Sequence, residues 1–187
     1  MNKTVLIVVG AVSAFIVAIL LTLFGSYVSA VNYGAAAEAG IKAAYTNNQN
    51  VLAQYSQKVQ EVAQVPAMYA DDVSRVTKEA IEGRYGANGS KAVFQWLKEQ
   101  NPKLDSAVYT KIQQVVESGR DEFKVSQTRL IDEKRVYETA LNTFWRGLWL
   151  RIAGYPKINM DDYKVITTAQ TEATFAAGKE TAPLKLR

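Results

Sequence analysis

The chain of 187 residues contains no cysteine and no histidine. This excludes disulfides, thiolate nucleophiles, histidine-ligated haem, ordinary zinc sites and Ser-His-Asp or Cys-His triads. The motifs G-x-S-x-G and HExxH and a Ca²⁺-binding loop are also missing, and the loop from Gly86 to Ser90 is too short to cradle a phosphate. We therefore predict no catalytic, cofactor-binding or metal-binding residues. The lack of cysteine does not identify the compartment, because a helical protein needs no disulfide on either side of a membrane.

Acidic residues occur as neighbours at three places, Asp71-Asp72, Asp121-Glu122 and Asp161-Asp162. Neighbouring side chains on a helix point about 100° apart and do not face one substrate. The first and third pairs fall at predicted helix starts, where acidic side chains stabilise the helix dipole. An enzyme that uses carboxylates alone is therefore the least favoured hypothesis, and we predict that the chain is not an enzyme.

Charge is missing from Thr4 to Ala37, a stretch without Asp, Glu, Lys or Arg. About 20 helical residues cross a hydrocarbon core of about 30 Å, so Val5 to Phe24 is long enough to span a membrane. Tyr27 and Tyr33 follow where aromatic rings favour the membrane interface. We predict a transmembrane anchor over residues 1–31 that contacts lipid through residues 5–31.

A cleaved signal peptide is the alternative, since Val28-Ser29-Ala30 resembles a cleavage site and Lys3 supplies a basic start. Against cleavage, the apolar core is about twice as long as that of a signal peptide, which has 7–15 residues. Counting positive flanking charges favours a cytoplasmic N-terminus and a domain outside the cytoplasm, held at the cell (inner) membrane.

Beyond Glu38 both signs of charge are mixed, and the net charge is only +4. Nucleic-acid binding normally needs a clustered basic face, which the sequence lacks. We interpret these charges as a solvated helical surface and predict no nucleic-acid partner.

A heptad seam follows the anchor, in which the spacing between successive residues is 4, 3, 4, 3, 4 and 3 positions. Its residues, all apolar or aromatic except one Asn, are Ile41, Tyr45, Asn48, Leu52, Tyr55, Val59 and Val62. Asn48 at a seam position is predicted to pair across the bundle and fix its register, with a solvent-facing polar patch as the alternative. The same stripe would suit a self-paired coiled coil, so a homo-oligomer stays open.

Three further helices are predicted before a tail. A short one carries Tyr69 to Ala80, and a second runs from Lys91 to Gln100 with Ser90 as its N-cap. The longest, Lys103 to Ala153, repeats aromatic or aliphatic residues at every seventh position from Tyr109 to Phe144. A short fourth helix follows, from about Asp162 to Gln170 with Asp161 as its cap, and residues 171–187 form a flexible tail. The predicted fold is all-α: an antiparallel three- to four-helix bundle over residues 32–170, preceded by the transmembrane helix.

Two tryptophans and two arginines cluster near the end of the long helix: Trp145, Arg146, Trp149 and Arg151. This composition is typical of a protein-binding hot spot and also of an aromatic belt on a membrane. A third interpretation is that Phe144, Leu148, Trp149 and Ile152 close the end of the bundle. If the first soluble helix leaves the membrane, the second returns and the long helix leaves again, the cluster lies far from the bilayer.

The chain resembles the LemA family of membrane-anchored bacterial proteins, from a basic start through one membrane helix to a helical domain. The residues that carry the resemblance are Ala44-Tyr45-Thr46, Val65-Pro66, Ile131 to Tyr137, Leu141-Asn142, Gly154-Tyr155-Pro156 and Asp162-Tyr163. Where the family has basic and acidic residues before its Ile-Pro step, this chain has Gln54, Ser56 and Gln57, and Glu138 replaces an Asn, so it resembles a divergent member. Diverged copies of the family also occur on phage genomes.

The resemblance implies a non-enzymatic, membrane-tethered bundle that meets protein partners at the cell envelope. Our first hypothesis is such an interaction or scaffold module, binding through Trp145 and Trp149. The alternative is a membrane-active module, for example a phage exclusion or lysis factor, whose aromatic and arginine stretch touches a bilayer.

Overall fold

The computed structural model describes residues 3–102, 104–105, 107–166 and 176, and within them the fold is all-helical, as predicted. These residues form five α-helices and no strand. The α-helices are α1 (Lys3–Ala63), α2 (Ala70–Ile81), α3 (Gly89–Gln100), α4 (Ala107–Asn142) and α5 (Phe144–Ile152). Three single turns of 3₁₀-helix cover Ala67–Tyr69, Gly86–Asn88 and Met160–Asp162.

The N-terminal part of α1 is apolar and exposed. Its most apolar window has a mean hydropathy of 2.9 and no buried residue. By length and composition this helix can span a membrane, which agrees with the predicted anchor. Helix α1 continues without a break to Ala63, and Gln64 then takes the left-handed conformation, with φ 49°, ahead of Pro66.

The chain divides into two compact units. The first unit consists of Met1–Lys42 and Asp132–Tyr163, and the second of Ala43–Ile131 and Lys164–Arg187. The predicted boundaries of anchor, helical domain and tail follow chain order and the membrane, and they stay predictions.

In the second unit, four helices contribute to one apolar core, whose buried residues are Val59, Ala63, Val73, Val76, Ala80, Val93, Leu97, Ile112 and Val116. Hydrogen bonds join α1 to α4 in antiparallel order: Tyr55 Oη donates to Glu122 at 2.7 Å, and Asn47 Nδ2 donates to Ser126 Oγ at 2.8 Å. Most of the predicted seam of α1 is buried here, and so are Val116 and Phe123 from the seven-residue repeat of α4.

In the first unit, α4 again runs antiparallel to α1. Tyr137 Oη donates to Glu38 at 2.7 Å, and Trp145 Nε1 in α5 donates to Ser26 Oγ at 2.8 Å. The expectation that the long helix runs in the same direction as the first soluble helix, which put the tryptophan cluster far from the bilayer, is therefore wrong. The reason is that two helices, α2 and α3, lie between α1 and α4, whereas the expectation counted one. Each helix reverses the direction of the one before it, so α4 runs antiparallel to α1.

Several predicted helix boundaries are wrong. The long helix breaks at Thr143, whose ψ of 145° is extended. Helix α3 begins at Gly89 after Asn88, so Ser90 lies inside the helix rather than at its cap. In place of the predicted fourth helix, only the turn Met160–Asp162 forms, and Asn159 caps it by accepting from the Asp161 N–H at 3.2 Å. Residues 167–170 of that helix lie outside the described residues, as does the predicted tail, residues 171–187, apart from position 176.

Candidate functional site

Helix α5 carries all four residues of the predicted tryptophan and arginine cluster. It can fold back over the end of α4 because position 147 is glycine: a Cβ there would overlap the carbonyl oxygen of Leu141. The Gly147 N–H donates to the Thr143 carbonyl at 2.9 Å, which closes the first turn of the new helix. The break therefore depends on a close backbone approach that only glycine permits.

One face of α5 packs on α1 directly after its apolar stretch. Trp145 bonds to Ser26, and the ring of Trp149 meets that of Tyr27 edge to face, with centroids 5.9 Å apart. Leu150 is buried against Gly34, where an added Cβ would lie 2.7 Å from Leu150 Cδ2. Ser26 is two residues beyond Phe24, where a stretch already long enough to span a membrane ends, and within the predicted anchor of residues 1–31. This contact therefore holds α5 beside the C-terminal end of the anchor.

The loop after α5 is held to the same part of α1. Tyr155 is buried, and its hydroxyl donates to the Val31 carbonyl at 3.2 Å. Glu38, only 9% exposed, accepts from Tyr137 Oη and from the Lys157 N–H, both at 2.7 Å. Burial, aided by the hydrogen bond to Glu38, raises the pKa of Tyr137. These bonds fix α5 at both of its ends.

The opposite face of α5 is apolar and exposed. Phe144 is 82% exposed, Ile152 60% and Leu148 38%, and Trp145, although its Nε1 bonds to Ser26, is still 50% exposed. The interpretation that Phe144, Leu148, Trp149 and Ile152 close the end of a bundle is therefore wrong for three of the four, because the break at Thr143 leaves Phe144, Leu148 and Ile152 exposed. Trp149 is half-buried against Tyr27. In water, four large apolar groups side by side on one short helix are an interaction surface.

A groove of about 530 Å³ opens between α1, the end of α4 and the start of α5. Its polar and aromatic lining consists of Tyr33, Arg135, Thr139, Thr143, Trp145 and Arg146. The Arg146 guanidinium lies over the Tyr33 ring, 4.2 Å from its centroid, and Arg135 pairs with Asp132 at 3.0 Å. Arg151, the remaining member of the predicted cluster, is exposed and bonds to the Gly147 carbonyl at 3.3 Å.

Sequence reasoning singled out the cluster but missed Ser26, Glu38 and the arginine of α4 that lines the groove. Tyr33 was identified as an interface residue, yet its pairing with Arg146 joins positions more than a hundred residues apart. No local pattern carries such long-range pairings. One signal was available in the sequence: aromatic or aliphatic residues recur at every seventh position of α4. Such a repeat indicates that another helix packs along the length of α4.

Asn48 occupies the seam of α1 in the second unit and is only 6% exposed. Its Oδ1 atom has no hydrogen-bond partner in the described part of the chain. The neighbouring Asn47 makes the bond that crosses to α4. The role of Asn48 in setting the register stays a prediction.

The predicted acidic pairs lie where helix capping would put them. Asp71 and Asp72 occupy the first turn of α2, and Asp161 and Asp162 the turn after Asn159. Among the described residues, no three acidic side chains converge in a way that could hold a metal ion.

Comparison with known proteins gives no relative to compare with this site. No family model, curated protein or solved structure matches the chain.

Proposed function

We propose that the chain is a membrane-anchored, non-enzymatic scaffold of the cell envelope whose helix α5 lies on the surface of the membrane that α1 spans. The observation that carries this proposal is the contact of Trp145 with Ser26, in the last turns of the predicted anchor and two residues beyond Phe24. Trp, Tyr and Arg are the residues that favour a membrane interface, and the exposed apolar face of α5 continues the exposed apolar surface of α1.

The same contacts support an anchor that is not cleaved. Ala30 is the last residue of Val28-Ser29-Ala30, the sequence that resembles a signal-peptide cleavage site, and it is buried within a continuous helix. Cleavage after Ala30 would remove Ser26 and Tyr27, which α5 contacts. We propose a single-pass protein with its N-terminus in the cytoplasm and its helical bundle outside, as a divergent member of the LemA family would be arranged.

Protease protection on intact spheroplasts tests the topology. A C-terminal tag removed from a full-length chain by external protease would support the proposed orientation. A tag protected until lysis would overturn it, and a chain shortened by the mass of residues 1–30 would overturn the uncleaved anchor.

A second candidate function is capture of a protein partner at α5, supported by the exposure of Phe144 and Ile152. Photocrosslinking in cells separates it from membrane contact. A photoreactive residue at either position should form lipid adducts if α5 lies on the bilayer and a discrete protein adduct if it binds a partner. Val125, exposed on α4, is the matched control position. Absence of both adduct types at α5 would remove both functions from this helix.

A lysis or exclusion activity would need α5 to disturb a bilayer rather than rest on one. Its contacts with α1 favour attachment to the membrane of its own anchor. We therefore expect the full-length protein to be reconstituted into vesicles without release of a trapped dye, and dye release would favour the lysis hypothesis.

A further inference from the structure

The groove between α1, α4 and α5 is basic and contains no acid. Two of its lining side chains are arginines, and none is Asp or Glu. Its volume of about 530 Å³ lies in the range of small-molecule sites, which measure about 300–1,000 Å³. The groove therefore suits an anionic group.

The two guanidinium groups are its available donors. Thr139 and Thr143 already donate their hydroxyl protons to the carbonyls of Arg135 and Ala140, and Trp145 donates to Ser26. Among the described residues, the Arg135 guanidinium is held only by an exposed pair with Asp132, and such pairs contribute about 0–1 kcal/mol. An incoming phosphate can replace that pair at little cost, and arginine binds phosphate through two parallel hydrogen bonds.

The position of the groove along α1 matches that of lipid headgroups. Helix α1 rises about 1.5 Å per residue, so Ser26 and Tyr33 lie about 3 and 13 Å beyond Phe24. The headgroup layer extends about 5–8 Å beyond the hydrocarbon core on each side. Measured from Phe24, Trp145, which lines the groove and bonds to Ser26, lies at the start of this layer, and Tyr33 with Arg146 lies beyond it. Measured from Val31, where the predicted lipid contact ends, Tyr33 lies about 3 Å beyond the hydrocarbon core and Arg146 is at headgroup height.

We propose that this groove binds the phosphate of an anionic phospholipid, held by Arg135 and Arg146 while the acyl chains lie along the apolar surface of α1. A zwitterionic headgroup fits less well, because the lining has no carboxylate for its cationic part and the face of Tyr33 is already covered by Arg146. This inference rests on the proposed function, since it requires α1 to span the membrane.

The test is a titration of the full-length protein in detergent micelles with short-chain phosphatidylglycerol and, separately, phosphatidylcholine. Tryptophan fluorescence reports binding, because Trp145 lines the groove. We expect saturable binding of phosphatidylglycerol about tenfold or more tighter than that of phosphatidylcholine. Equal affinities would overturn the inference.

Paired variants locate the site. Arg135→Gln with Arg146→Gln should reduce the affinity for phosphatidylglycerol to that for phosphatidylcholine. Lys124→Gln with Arg129→Gln removes the same net charge from exposed positions on α4 and should keep the preference. If the first pair does not fold, Arg135→Gln alone replaces it, since that side chain is exposed and held only by Asp132. A preference that survives loss of the groove arginines, or that falls equally in both pairs, would overturn the inference.

Two further arms separate the possible failures. Glycerol 3-phosphate should not bind at the same concentrations, and binding as tight as that of the lipid would overturn the lipid assignment. Alkaline extraction of membranes that carry the wild-type chain tests the anchor itself. A chain that resists extraction but shows no lipid preference refutes only the groove, whereas an extracted chain refutes the proposed function.

Discussion

Glu38 is a buried carboxylate in the first unit, and no lysine or arginine pairs with it in the described part of the chain. Its Oε1 atom instead accepts from Tyr137 Oη and from the Lys157 N–H. A buried charge is costly unless hydrogen bonds satisfy it. These two donors therefore tie α1, α4 and the loop after α5 to one another.

Removing one donor should destabilise the protein. We expect Tyr137→Phe to lower the free energy of unfolding by about 1–3 kcal/mol, because Glu38 keeps a buried charge with one bond fewer. Tyr69→Phe is the control, since Tyr69 is half-buried against Trp96 by ring contact. Chemical denaturation of the full chain in mild detergent measures both, and equal losses would contradict the role of Glu38.

Alkaline pH should also destabilise the protein. The hydrogen bond from Tyr55 to Glu122, together with burial, raises the pKa of Tyr55 to about 12. Burial raises the pKa of Tyr137. An unfolded tyrosine titrates near pH 10. Above about pH 10 the unfolded chain loses protons that the folded chain keeps, so the free energy of unfolding falls as the pH rises towards 12.

Denaturation curves between about pH 8.5 and 11.5 measure this fall. We expect a shallower fall in Tyr55→Phe than in the wild-type chain, because one of three tyrosines with a raised pKa is gone; the third is Tyr85, whose pKa is raised by its hydrogen bond to Glu79. Parallel slopes for the two proteins would mean that Tyr55 titrates normally when folded.

At the scale of the element, the seven-residue period of α4 predicted its buried face but not its end. Val116, Phe123, Leu130 and Tyr137 are buried, whereas Phe144, the next in the series, is exposed. The period is a local property that any amphipathic helix shows. The break at Thr143 depends on Gly147 meeting the carbonyl of Leu141, a contact between two helices that no pattern reports.

The sequence alone indicated that the tyrosines at residues 27–33 and the tryptophans at residues 145–149 favour a membrane interface. The contact between these two segments could not be read from the sequence, because it depends on how many helices separate α1 from α4. With one helix between them α4 would run parallel to α1, whereas the two helices α2 and α3 make it antiparallel and bring α5 to Ser26.

Gly34 offers a test of the packing between α5 and α1. An alanine there would place its Cβ 2.7 Å from Leu150 Cδ2 and 2.8 Å from Tyr155 Cζ. We expect Gly34→Ala to cost about 1–3 kcal/mol through overpacking, or several degrees of thermal unfolding temperature. Gly25→Ala is the matched control, because its added Cβ would meet nothing within 4 Å. Equal melting temperatures for the two variants would contradict the close packing of α5.

At the scale of the whole molecule, the account depends on α1 crossing a membrane. Charge in the middle of the span should prevent this, since an arginine at a helix centre costs about 2.5–3.5 kcal/mol on insertion. We expect Ile16→Arg with Leu20→Arg to move the chain from the alkali-resistant membrane fraction to the soluble or degraded fraction. Val125→Arg with Ile131→Arg, at exposed positions of α4, should leave the membrane fraction unchanged.

The central claim is that α5 lies on the membrane that α1 spans. Quenching of Trp145 by brominated lipids tests it most directly, in full-length protein reconstituted into vesicles with Trp96 and Trp149 replaced by Phe. A second protein with Phe15→Trp as its only tryptophan calibrates quenching within the span. The account predicts that bromines near the headgroup quench Trp145 more strongly than bromines deep in the acyl chains. An unquenched Trp145, in vesicles where the Phe15→Trp probe is quenched, would contradict it.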